Sequence, residues 1–162
     1  MSDKANTGNY FEDLETGLVI HHAVPRTLTE GDAALYIALT GDRFPLHCNA
    51  EFARAIGFPR ETVNDLLVFH TVFGKSVPDI SLNAVANLGY ADVRFGQSVL
   101  PGDTISATTT VLGRRESRGG DTGVVWVRTE GRNQCDEEVL TLIRWVLAVS
   151  YTHLTLPTNR EV

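Results

Sequence analysis

Asp42 and His47 stand five positions apart in GDRFPLHCNAEFA, the segment from Gly41 to Ala53, with Phe44-Pro45 between them. A carboxylate and an imidazole are side chains that can move protons near neutral pH. On a continuous helix this spacing would splay them by about 140°, at ~100° per residue, and Pro45 disfavours such a helix. In a loop that doubles back around Phe44-Pro45, both side chains can face one small space. They could then share one water, the carboxylate accepting one proton and the imidazole accepting or returning the other. No serine or cysteine nucleophile accompanies them, so the pair suits addition or removal of water better than acyl transfer. The competing reading is architectural: Asp42 as a turn residue after a helix, and His47 as a partner of a helix cap at Asn49. On the residues alone the architectural reading comes first, because apparent acid–base pairs are often structural ion pairs.

The elements around this loop follow from periodicity. Residues 1–17 read as a tail leading into an extended segment, Leu18 to Thr29, in which His21 and His22 point to opposite faces and form no shared ligand pair. Thr27 and Glu30 have capping-box spacing, and Gly41 is a helix stop, so a short helix is expected from about Glu30 to Leu39. Asn49 can cap a second short helix ending at Gly57. In NDLLVFHTVFGKSVPD, Asn64 or Asp65 caps a longer helix that Pro78 is expected to end at Val77. Its apolar residues cover most of its circumference, which predicts burial, with His70 satisfied inside the packing.

From Ser81 the pattern becomes strand-like. LNAVANLGYADVRF reads as two extended pieces broken at Leu88-Gly89, Pro101-Gly102-Asp103 as a turn, and Ile105, Ala107, Thr109 and Val111 as one face of a strand. ESRGGDTG follows as a hairpin loop rather than a phosphate cradle, and after it come two further β-rich runs, VVWVRTEGRN and VLTLIRWVLAV. The order predicts an α+β fold, with a curved antiparallel sheet wrapped around a long central helix. Its uncovered side or edge invites a second copy, so a dimer or an assembly of dimers is expected. The last stretch, SYTHLTLPTNREV, has no apolar face and its wording resembles a read-through or vector-derived tail. The expected domain is therefore residues 1–149, with 150–162 outside it.

Composition narrows the partners. The 162 residues suit one domain, and a net charge of −6 with pI near 5.3 argues against nucleic acid or an anionic membrane surface. No apolar run of membrane-spanning length and no signal-peptide pattern occurs, so a cytoplasmic protein is expected. Cys48 and Cys135 have no metal-ligand spacing and read as free thiols. No metal motif or cofactor loop is present, and none is expected.

Two stretches, TGDRFPLHCNAEFA and NAVANLGYADVRFGQSVLPGDTI, resemble the MaoC-like dehydratases, the first through their G-D-x-x-P-x-H segment. The likeness runs from about Tyr10 to Val149, and the wording around Leu66–Lys75 and Val77–Ala91 is similar to the subgroup containing mesaconyl-CoA hydratase, or β-methylmalyl-CoA dehydratase. The resemblance implies a hot-dog fold, with Asp42 and His47 as the catalytic pair adding water reversibly to a 2-enoyl-CoA. Coenzyme A would enter only as part of the substrate. It also implies that backbone N–H groups at the start of the long helix, at Asp65 and Leu66, hold the thioester oxygen. The family commonly has His-Gly here, where this chain has Asn64-Asp65. Subgroup members are often two hot-dog units in one chain, so this unit is expected to need a partner to complete its acyl-CoA groove. Arg43, Arg94 and Arg114 could meet a substrate carboxylate or the coenzyme phosphates, although solvated surface charge is the stronger reading. A hot-dog thioesterase and a non-catalytic acyl-CoA-binding subunit are the alternatives. The thioesterase would more often carry an acid on the long helix, and the interior stretch LLVFHTVFGK has none.

Overall fold

The computed structural model describes residues 8–151. A 3-10 turn at Phe11–Asp13 leads to β1 (Val19–His21) and β2 (Arg26–Thr27). Helices α1 (Glu30–Thr40), α2 (Pro45–Cys48), α3 (Ala50–Ala55) and α4 (Asp65–Ile80) follow, then the strands β3 (Ala84–Phe95), β4 (Thr104–Glu116), β5 (Thr122–Arg132) and β6 (Glu138–Val149). The antiparallel sheet has the order β1-β4-β5-β6-β3, with β2 pairing on β4.

Two-residue alternation builds the inner face of the sheet from Ile105, Ala107 and Val111 on β4, Val125 and Val127 on β5, and Leu140, Leu142 and Val146 on β6. Across it lies α4, which buries Val68, Thr71, Val72, Ser76 and Ile80 at helical spacing. The approach is close: a Cβ on Gly131 would stand 2.4 Å from Val72 Cγ2, so β5 needs glycine where the helix crosses. Arg144, also on the inner face, is fully buried beneath α4. It lies 4.6 Å over the Phe73 ring and donates to Ser76 Oγ at 3.0 Å, and burial lowers its pKa to about 10.

Several local expectations change. Only one side of α4 is buried, and Leu66 and His70 are exposed on the other; the apolar residues there await cover rather than having it. Pro78 sits inside the last turn and the helix continues to Ile80, since one missing N–H so near the end removes a single bond. The capping box of α1 is Thr29 with Asp32, not Thr27 with Glu30. The strand β3 is continuous through Leu88-Gly89 and absorbs its irregularities as three register shifts against β6. The stretch read as a tail is anchored from Phe11, whose ring packs where a Cβ on Gly123 would fall, while Leu14 is buried. Arg114 secures it by donating to the Phe11 and Glu12 carbonyls and stacking on the Phe11 ring. At the other end, Ser150 is buried and its hydroxyl donates to Glu12, as does the Tyr151 N–H. The rest of the read-through-like segment, 152–162, lies outside the described residues.

His22 is not an ordinary strand residue. Its buried ring bonds Asp79 Oδ2 through Nδ1 and Thr109 Oγ1 through Nε2, both at 2.7 Å, and Thr109 bonds Thr129 at 2.8 Å. A neutral ring satisfies the chain: Nδ1–H donates to the carboxylate and Nε2 accepts from Thr109. Burial pushes the His22 pKa below its ordinary 6.5, with Asp79 opposing. The unfolded chain therefore binds this proton more readily than the folded one. The stability from neutral His22 is full above about pH 6.5 and declines as pH falls below it. His22→Gln should flatten that part of the melting temperature against pH curve, as measured by calorimetry.

Candidate active site

The loop after α1 is built by its caps. Gly41 ends the helix in the left-handed conformation, at φ 69°, and sends the chain into Asp42. Pro45 then opens the single-turn α2 at its first position, where no N–H is needed, so His47 sits on a helical turn rather than an open loop. Asn49 caps α3 as expected, accepting from Phe52 N at 3.0 Å. Thr62 N donates to the Leu46 carbonyl at 3.0 Å and Val63 N to the Val99 carbonyl at 2.8 Å, which fixes α2 beside the entrance to α4.

These elements bring Asp42 and His47 together. Asp42 Oδ2 accepts from His47 Nδ1 at 2.6 Å and from Asn64 Nδ2 at 2.6 Å, while Oδ1 accepts from Phe44 N at 2.9 Å. The arrangement differs from two groups converging on one water, because the carboxylate grips the imidazole directly. With Nδ1–H given to Asp42, Nε2 is the imidazole's remaining proton acceptor, and no protein partner for it occurs among the described residues. His47 lines a cleft of about 440 Å³ whose other walls include Ala33, Ala34 and Ile37 of α1, Ala50 and Pro101. Phe44 packs edge-on against the imidazole at 5.2 Å.

Asn64 is the residue that motif reading missed, entering only as a possible cap. Its Oδ1 accepts from Leu66 N at 2.8 Å while its Nδ2 holds Asp42, so one side chain joins the His–Asp pair to the helix start. The cap occupies the Leu66 N–H, one of the two backbone donors that the resemblance implies for the thioester oxygen. The Asp65 N–H has no partner among the described residues, and the Asp65 side chain is exposed. Arg43 is exposed in the loop, Arg94 pairs with Asp92 on β3 at 2.8 Å, and Arg114 is committed to the N-terminal turn. Cys48 and Cys135 are exposed thiols. Among the described residues no group of His, Cys, Asp and Glu could hold a metal, and no helix is long and apolar enough to cross a membrane.

A family model for the MaoC-like domain matches residues 13–132. The chain belongs to the MaoC-like domain family. This domain is 58% identical over 147 residues to the β-methylmalyl-CoA dehydratase of Chloroflexus aurantiacus, covering 91% of the chain and 42% of that enzyme. It is 56% identical over 144 residues to the mesaconyl-CoA hydratase of Cereibacter sphaeroides, covering 89% of the chain and again 42% of that enzyme. The chain thus spans less than half the length of these curated relatives. Among solved structures, a MaoC domain protein dehydratase from Chloroflexus aurantiacus superposes with a TM-score of 0.91 at 53% identity, over 99% of this chain and 46% of that one. A Mycobacterium tuberculosis protein described as a double hot-dog fold superposes at 0.80 with 27% identity, over 96% of this chain and 46% of that one. The fold of the MaoC-like domain is the hot-dog fold, an antiparallel sheet around a helix.

Three hydrogen bonds hold the Asp42 charge. The Phe44 N–H, then the Asn64 amide and His47, outweigh partial burial and lower its pKa from 3.8 to about 2. A depressed carboxylate stabilises the fold above its unfolded value, so this contribution is full above about pH 4 and lost as pH falls toward 2. Carbon-detected NMR should find the Asp42 carboxyl titrating near that lower value. Asn64→Ala should move its midpoint upward and loosen the first turn of α4; an unmoved midpoint would show that the amide does not hold the carboxylate.

Proposed function

We propose that this domain is one catalytic hot-dog unit of an acyl-CoA hydratase/dehydratase, with His47 as the acid–base group and Asp42 and Asn64 placing it. The supporting observation is the His47 imidazole, held through Nδ1 by a carboxylate and lining the cleft with its Nε2 unpartnered. A carboxyl with a pKa of about 2 is a poor proton acceptor near neutrality, so Asp42 sets the tautomer and stabilises the imidazolium. In the forward reaction a water gives one proton to Nε2 as its oxygen bonds the β-carbon of a 2-enoyl thioester. The double-bond electrons pass to the α-carbon and thioester oxygen as an enolate. In this reading the Asp65 N–H at the positive end of α4 is the group assigned to stabilise that charge. The imidazolium then returns its proton to the α-carbon from the same side, completing the addition of water. The names of the two close relatives favour mesaconyl-CoA as the acyl substrate.

Hydration of crotonyl-CoA and mesaconyl-CoA, followed at the enoyl absorbance with thiol release measured in parallel, tests this reading. Enoyl loss without free thiol is expected; thiol release would make the protein a thioesterase. His47→Gln and Asp42→Asn should each lower turnover by roughly 10²–10⁴-fold. The double variant should be hardly worse than the more damaging single one, because the pair acts as a unit. Near-normal turnover in His47→Gln would sink the assignment.

The second half of the proposal is a partner unit. At the sheet edge β3 pairs, among the described residues, only with β6 and exposes Val85, Leu88, Tyr90, Val93 and Phe95, next to the uncovered side of α4. An apolar edge strand of this length invites another hot-dog unit, either a second copy or a fused one. Sedimentation at micromolar concentration should give a dimer or larger assembly, and Val93→Lys should shift it toward monomer. Monomer alone in the unaltered chain would count against this interface.

A further inference from the structure

Between the outer side of α4 and the connection from β1 to β2 lies a second cleft, of about 530 Å³, lined among others by Val24, Arg26, Thr27, His70, Gly74 and Lys75. Among the described residues no carboxylate lines it. Arg26 stands at its edge, 55% exposed and paired with Asp32 at 2.7 Å. Lys75 has no acidic partner within ion-pair reach among the described residues; its ammonium donates to the Val24 carbonyl. Val24 has a φ of 57° and an exposed side chain. That left-handed conformation is costly for a β-branched residue and is retained where the surroundings over-determine it. Burial and then the nearby charge of Arg26 push the Lys75 pKa below its ordinary value. A chain of net charge −6 thus gathers two cations and an imidazole around one concave, acid-free space.

We propose that this cleft is an anion site for the nucleotide-phosphate end of a coenzyme A thioester, with Lys75 its central cation and Arg26 and His70 at its rim. The inference rests on the acyl-CoA reading of the His47 site. Lys75 lies ten residues beyond Asp65, about 15 Å along α4 at ~1.5 Å per residue. That separation is comparable with the reach of the pantetheine arm between thioester and phosphates. A compact ammonium suits phosphate as a point charge. The arginines weighed from sequence lie elsewhere: Arg114 is bound to backbone carbonyls, and Arg94 is paired on β3.

Titration of the full chain with 3′,5′-ADP by calorimetry tests the site without any turnover. Saturable binding is expected, weakened about tenfold by Lys75→Gln, the usual scale for losing one charge-assisted contact. Gly74→Leu should weaken it as well. A Cβ there meets nothing within 4 Å, and leucine favours the helix, so this variant fills the cleft without unfolding the protein. Arg94→Gln should bind like the unaltered chain. In turnover, Lys75→Gln should lower kcat/KM for crotonyl-CoA about tenfold more than for crotonyl-pantetheine, which lacks the nucleotide. Failure of 3′,5′-ADP to bind, full binding by both cleft variants, or equal affinity for inorganic phosphate would overturn the nucleotide assignment. If the unaltered chain hydrates neither thioester, the hydratase reading fails, and the 3′,5′-ADP titration still decides the cleft.

Discussion

The amide of Asn64 is bonded in two directions at once, to the carboxylate of Asp42 through its nitrogen and to the Leu66 N–H through its oxygen. The second bond is an ordinary helix cap, needed because the first N–H groups of α4 have no partner within the helix. The first turns that cap into a fixture for a loop more than twenty residues earlier in the chain. Through it the rigid packing of α4 on the sheet reaches Asp42, and through Asp42 it reaches the imidazole of His47. The cap therefore sets where His47 can stand relative to the positive end of α4. It also claims the Leu66 N–H.

The described residues include two His–Asp pairs of nearly the same length, and their surroundings separate them. His22 and Asp79 bond at 2.7 Å, but the second nitrogen of His22 meets a threonine that is itself buried and bonded onward, so the pair is a closed network inside the fold. His47 and Asp42 bond at 2.6 Å, and the second nitrogen has no partner among the described residues, on a side chain that lines a cleft. A buried network with every member satisfied rigidifies; one acceptor left open can do chemistry. The distance between histidine and carboxylate carries none of this distinction. What the other nitrogen touches carries all of it.

Helix packing explains why the unit is one-sided. The face of α4 toward the sheet takes small and β-branched residues that let β5 approach as close as Gly131 allows. On the opposite face Leu66 is exposed, and along the flank half-buried Phe69 and Phe73 both make ring contact with Tyr90 of β3. An apolar helix face beside an unpaired strand edge is half of an interior. The double hot-dog relative and the greater length of the curated relatives fit that description.

Local chemistry made much of this legible in the sequence. The strand alternation of β4, the glycine stop at Gly41 and the cap at Asn49 arise from neighbours within a few residues, and each could be read from those neighbours. The G-D-x-x-P-x-H segment together with the stretch NAVANLGYADVRFGQSVLPGDTI carried the family resemblance, and the resemblance pointed to Asp42 and His47. Tertiary structure decided what depends on contacts far apart in the chain. Pro78 did not end α4, because packing on the sheet holds the last turn against the loss of one bond. Phe11 and Leu14 became core because β5 leaves a gap at Gly123 that only a distant ring can fill. Nothing near His22 foretells Asp79 and Thr109, which reach it from α4 and β4. The second role of Asn64 was hidden for the same reason: a cap is specified within one turn of helix, whereas a carboxylate at Asp42 arrives only when the whole chain has folded.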